Sequence, residues 1–165
     1  MMTSIEKTIG DLLLQQKHMA TTLLALLDSE HTALAERDEP SITAIASSKQ
    51  QAVMQLEQLK KRCDNTLSQH GLSSGKNGIE RLIQNSMHTA AERTALTQHW
   101  QQLKAELLKC QRQNQINGSI IAANRHRTRC ALGILSAQSG SDDNLIYGEN
   151  GESSIAMRIT NYPSA

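Results

Sequence analysis

Phenylalanine is absent from this chain of 165 residues, and Trp100, Tyr147 and Tyr162 are its only large aromatics. Any core must therefore be filled by Leu, Ile, Val, Met and Ala, which is the composition of helical bundles and coiled coils. Cysteine is scarce too: Cys63, Cys110 and Cys130 are odd in number and widely spaced. That argues against a disulfide framework or a zinc knuckle and leaves reduced thiols, two of them at inward helical positions as small apolar fillers. No apolar run approaches the roughly 18 residues needed to cross a bilayer, and Met1-Met2-Thr3-Ser4-Ile5-Glu6 lacks the basic start of a signal peptide. The expectation is a cytoplasmic protein with no membrane insertion.

The residues of catalysis are missing as well. A di-metal carboxylate site in a bundle needs paired Glu-x-x-His motifs, and the chain offers only Asp28-x-x-His31. His18, His31, His70, His88, His99 and His126 make no ligand spacing with one another or with a cysteine. Gly75-Lys76 lacks the other glycine and the hydroxyl of a phosphate loop. No catalytic, metal-binding or cofactor-binding residue is expected, and the chain does not read as an enzyme.

Charge is nearly balanced overall at +1 but unevenly spread. Met1–Lys60 carries 5 basic and 8 acidic residues, Lys61–Ala137 carries 11 and 4, and the rest carries 1 and 4. The basic residues gather at Arg125, Arg127 and Arg129, with Arg112 nearby. Nucleic-acid binding is not expected from so short a cluster without aromatic residues for base stacking. A solvated helix face, able to pair with acidic parts of the same chain or of a partner, explains it better.

What the chain has in abundance is apolar residues at helical spacing. Thr3-x-x-Glu6 is a capping box, and Ile5, Ile9, Leu12, Met19, Leu23, Leu26 and Ala33 follow at steps of three and four, with Leu13, Leu27 and Leu34 widening the stripe. Gln16 and Glu30 are the polar exceptions. This predicts a helix over about 4–36, some 50 Å long. Arg37-Asp38-Glu39-Pro40 ends it and opens a second, about 40–69, along Ile42, Ile45, Ala52, Val53, Leu56, Leu59, Cys63 and Leu67. So short a connection requires antiparallel neighbours. Lys49 interrupts this seam and is expected to snorkel at the bundle edge.

The stretch from His70 to Gly78 holds three glycines and reads as a loop, followed by a short helix at about 79–87. Thr89-x-x-Glu92 then opens a helix to about 137, with the seam Trp100, Leu103, Leu107, Cys110, Asn114, Asn117, Ile121, Asn124, Thr128, Ala131 and Leu135. At roughly 74 Å it is longer than its predecessors, so on the order of 16 residues must overhang or bend. The asparagines either set register in a coiled coil or mark a surface completed by a partner. The expected fold is all-α: an elongated antiparallel bundle of three long helices plus one short helix (1–137), with a mobile tail (138–165).

In that tail, Leu145-Ile146-Tyr147-Gly148-Glu149-Asn150-Gly151 is an apolar island among Ser, Gly, Asp and Asn. A tyrosine between such residues reads as a binding anchor with large contact area and few rotatable bonds, the alternative being a frayed terminus without a role.

Asn117-Gly118 followed by Ile120-Ile121, an Arg-rich turn, Ala131-Leu132-x-x-Leu135 and then Leu145-Ile146-Tyr147-Gly148-x-x-Gly151 resembles the carboxy-terminal half of FlgN-type flagellar export chaperones. Leu24 to Leu34 with Glu30, then Arg37-Asp38 and Lys49, is similar to the amino half. The resemblance implies a cytoplasmic, ATP-independent chaperone of the flagellar type III export system. It implies partners too: the hook-filament junction proteins FlgK and FlgL, and the export gate protein FlhA. It points to Tyr147 as a docking residue, with Leu145, Ile146 and Gly148 beside it. Asn117, Gly118, Ile120 and Ile121 are the other candidate partner-binding positions. A client helix is best held in an apolar groove, which Ile116, Ile120 and Leu132 could offer. The free protein is expected as a monomer or weak homodimer; a homo-oligomeric coiled-coil adaptor is the alternative.

Overall fold

The computed structural model describes residues 4–85 and 90–139, which form α1 (Ser4–Glu36), α2 (Glu39–Gln69), α3 (Lys76–Asn85) and α4 (Ala90–Ser139). Among the described residues there is no strand. The fold is all-α, three long helices and one short, as the periodicity predicts. Thr3 and Thr89, the expected cap residues, lie outside the described residues. The chain divides into two compact units, Met1–Ile120 and Ile121–Ala165.

Within the first unit, the α1–α2 connection is built by local backbone and capping chemistry. Arg37 takes φ 58, and the Asp38 N–H donates to the Ala33 carbonyl at 3.0 Å, the six-to-one bond that closes a helix through a left-handed residue. Asp38 then caps α2, its carboxylate accepting from the Ser41 hydroxyl at 2.5 Å and the Ser41 N–H at 3.2 Å. Those two bonds hold the Asp38 carboxyl below its ordinary value. Pro40 occupies the first turn of α2, where no N–H is needed.

The tight connection makes α2 the antiparallel neighbour of α1. Glu30, nine residues before Glu39, meets Lys49, nine residues after Pro40. Gln16 and Cys63, each 23 residues from the same point, are likewise neighbours. Helix α4 runs parallel to α1, since Cys110 lies on Ala20 and Asn117 on Leu27, both 90 residues apart. The unit is thus an up-down-up bundle.

The loop before α3 reverses the chain at Gly71 (φ 72) and Gly75 (φ 73), conformations open to glycine because it has no Cβ. Asp64 on α2 accepts the Gly75 N–H at 2.8 Å and ties the loop down. The reversal is complete at Gly75, whose carbonyl accepts from the N–H of Gly78 at 3.1 Å and of Ile79 at 3.2 Å. Helix α3 therefore starts at Lys76, ahead of the expected Ile79. Gly78 is held by contact: a Cβ there would stand 1.7 Å from the Ser73 carbonyl oxygen.

The apolar core collects Ile9, Leu12, Leu13 and Ala20 of α1, Cys63 and Leu67 of α2, Ile79 and Leu82 of α3, and Leu96 and Leu103 of α4. Ile79, Leu82 and the part-buried Ile83 share one face of α3, so this short helix closes the core where α1 begins and α2 ends. Each fully buried Leu or Ile adds about 1.5–3 kcal/mol of transfer free energy. Leu72 from the loop packs onto the same cluster.

Candidate functional site

Farther along the first unit the interior turns polar. Glu30, Lys49 and Asn117, one from each long helix, are all buried. Lys49 Nζ donates to both Glu30 oxygens, at 2.7 and 2.8 Å. The Asn117 amide nitrogen donates to the Leu27 carbonyl at 2.8 Å and to Glu30 Oε2 at 2.9 Å. Its oxygen accepts from Gln113 Nε2 at 3.1 Å and lies 3.3 Å from His31 Nδ1. The amide therefore uses both of its donors and has two neighbours at its acceptor, as an amide 1% exposed must to avoid a desolvation penalty.

This corrects the expectation for Lys49. It does not snorkel at an edge but lies 5% exposed against a buried carboxylate. The signal was present in the sequence: Glu30 and Lys49, each an exception to an apolar seam, are equidistant from the turn at Glu39-Pro40. Two antiparallel helices joined there must bring them together. The third member, Asn117, needed the axial position of α4, which sequence periodicity does not supply.

Of the candidate partner-binding residues, Asn117 is thus spent inside the bundle. Gly118 is exposed with nothing within 4 Å of where a side chain would begin. Ile120 and Ile121 are part-buried, and Ile116 is exposed. Tyr147, Leu145, Ile146 and Gly148 lie outside the described residues. Within the first unit the structure separates the buried amide of Asn117 from a glycine open to solvent one residue later.

In the second unit, α4 continues to Ser139, and every residue from 126 to 137 is exposed. Leu132 at 57%, Ile134 at 60% and Leu135 at 59% stand out, because apolar side chains so far into water favour a covering surface. His126 Nε2 and Cys130 Sγ lie 3.6 Å apart on this helix, which corrects the expectation that no histidine is spaced to meet a cysteine: four residues apart, the two share a helix face. Two ligands on a turn flanked by Arg125, Arg127 and Arg129 form a poor cation site, and among the described residues no three His, Cys, Asp or Glu come together.

Cys63 and Cys110 are buried, and burial pushes each thiol up to about 11. Cys110 donates to the Ala20 carbonyl at 3.2 Å. These are packing groups with little thiolate at neutral pH, and so poor nucleophiles. No described helix is long and apolar enough to cross a membrane.

Comparison with known proteins adds to this geometry. The family model described as FlgN protein matches residues 1–155. A solved structure, the crystal structure of a flagella synthesis protein FlgN from Pseudomonas aeruginosa at 1.48 Å resolution, shares 30% sequence identity with a TM-score of 0.61. That similarity covers 82% of this chain and 99% of the other. No curated protein matches the chain. With its family match running through all four helices, the chain belongs to the FlgN family.

Proposed function

We propose that this protein is a cytoplasmic flagellar export chaperone. It binds the hook-filament junction proteins FlgK and FlgL through amphipathic helices, keeps them from associating early, and delivers them to the export gate protein FlhA. Membership of the FlgN family, a family of flagellar export chaperones, supports the flagellar assembly role. The observation that carries the helix-holding step is the exposed end of α4 with Leu132, Ile134 and Leu135. An amphipathic client helix laid along one face of α4 would bury Leu132 and Leu135, three residues apart, through anchors at three and four spacing. No chemistry is asked of the protein, only a surface that competes with the client's own self-association.

A homo-oligomeric adaptor fits less well. No Asp or Glu occurs from Leu107 to Ser141, whereas Lys109, Arg112, Arg125, Arg127 and Arg129 do. Two copies meeting through this stretch would set like charges together.

The mass of the purified chain mixed with FlgK or FlgL, measured by light scattering after size exclusion, tests the reading. A one-to-one complex supports it, and a homo-oligomer indifferent to both overturns it. Tyr147→Ala should leave the circular dichroism spectrum and melting temperature unchanged while weakening binding to FlgK, FlgL or FlhA by about tenfold or more, the scale of a hot-spot tyrosine. Unchanged affinity for all three removes Tyr147 from the mechanism.

A further inference from the structure

The exposed end of α4 is basic in a way that its own helix does not answer. Arg125, Arg129, Leu132 and Ser136 recur at steps of four, three and four, so they share one face of the helix. Arg127 and Ile134 fall on the opposite face by the same periodicity. Arg129 and Leu132 are exposed, and Arg125 is part-buried. No carboxylate stands three or four residues from any of these arginines, and among the described residues none pairs with them. Elsewhere the protein does use such pairs, as Lys60 with Asp64 at 2.8 Å and Lys109 with Glu106 at 2.7 Å show.

A leucine with two guanidinium groups one and two turns before it on the same helix face suits a particular ligand. The apolar centre wants an apolar stripe, and the arginines want planar carboxylates at matching spacing, which they can grip with two hydrogen bonds each. We propose that Arg125 and Arg129 are specificity-determining residues that select acidic amphipathic helices. In such a partner helix, apolar residues cover Leu132 and glutamates or aspartates at i and i+4 on the adjoining turns meet Arg125 and Arg129. The inference rests on the helix-holding function proposed above and adds the charge of the helix that is held.

Charge complementarity decides among the occupants. A second copy meeting this face through its own α4 end brings the same arginines and, between Leu107 and Ser141, no Asp or Glu, so like charges are set together. Nucleic acid offers the negative charge but gains no base stacking, since no aromatic residue lies between Trp100 and Tyr147, and its phosphates would leave Leu132 unsatisfied. A charged rim around an apolar contact mainly sets encounter rate and discrimination, so the selection should be steep in salt.

The test uses the full chain and fluorescein-labelled synthetic amphipathic helices of Leu and Ala. They carry Glu, Gln or Lys at the flanking positions and are followed by anisotropy between about 0.05 and 0.5 M NaCl. The Glu helix should bind about tenfold more tightly than the Gln helix at low salt, with the Lys helix weakest, and the advantage should shrink severalfold at high salt. Arg125→Glu with Arg129→Glu should invert the preference toward the Lys helix, whereas Arg127→Glu, on the opposite face, should leave the Glu preference in place. Equal binding of the Glu and Gln helices overturns charge selection and leaves helix-holding standing. Failure to bind any of them overturns both. Binding confined to a peptide of residues 140–165, which carries Asp142, Asp143, Glu149 and Glu152, assigns the face to the chain's own tail and overturns the proposal. A single-stranded oligonucleotide that displaces the Glu helix also overturns it.

Discussion

Single residues in this bundle matter most where polarity is buried. Lys49 neutralises Glu30 in a site from which water is excluded, so the pair must be judged by what remains when one partner goes. Lys49→Met should destabilise the fold by about 3–5 kcal/mol in urea unfolding, since it strands a buried carboxylate. The double change Lys49→Met with Glu30→Leu should recover most of that loss. A double variant as unstable as the single one would mean that packing rather than charge is at stake. Cys63 gives a different residue-scale expectation, in pH. Its thiol ionises near its ordinary value of 9.0 in the unfolded chain but is pushed to about 11 by burial. Between those values the unfolded state holds fewer protons, so stability falls as pH rises through that window. The stability advantage of the native chain over Cys63→Ala should therefore narrow from about pH 8 to about pH 11. A constant advantage across that range would deny the thiol a linked proton.

Elements were legible in the sequence to the degree that their signals are local. The three long helices follow from apolar steps of three and four, and the α1–α2 turn from Asp38 and Pro40, because caps and prolines act within a few residues. The start of α3 was not legible, since it depends on Gly75 completing the reversal and on Gly78 lying against the Ser73 carbonyl, a contact no periodicity encodes. Lys49 was misplaced for a related reason: read on its own helix it is an intrusion, and only its partner across the turn explains it. Gly78 yields the element-scale prediction. A methyl group there must displace backbone rather than a flexible side chain, so Gly78→Ala should cost at least about 1–3 kcal/mol and expose the apolar face of α3. Gly71→Ala, where space is open and only the left-handed conformation is penalised, should cost about 1–2 kcal/mol. Ranking the two by thermal unfolding checks the contact, and equal losses would show that conformation alone is at issue.

At the scale of the whole molecule, the question is what makes one arrangement of such regular helices unique. In α1 the buried residues Leu13, Ala20, Leu27 and Leu34 recur every seven positions, and in α4 Leu96, Leu103, Cys110 and Asn117 do the same. Helices with so strict a repeat keep much of their apolar match when one slides past the other by seven residues, about 10.5 Å. Asn117 opposes such a slide, because it alone among the buried residues of this α4 seam bonds both the Leu27 carbonyl and Glu30. Moving it one heptad back would set it against Ala20 and leave Glu30 with less than its full set of donors. The polar layer should thus contribute register more than stability. Asn117→Leu should change the unfolding free energy by no more than about 1–2 kcal/mol while allowing a second axial position of α4. Spin labels at Thr22 and Arg112, exposed positions 90 residues apart and level with each other, would report it once Cys130, the exposed cysteine, is changed to serine. The native sequence should give one narrow distance, and Asn117→Leu a second population displaced by up to about 10 Å. A single unchanged distance in the variant would show that side-chain packing by itself fixes the register and that the buried amide is dispensable for it.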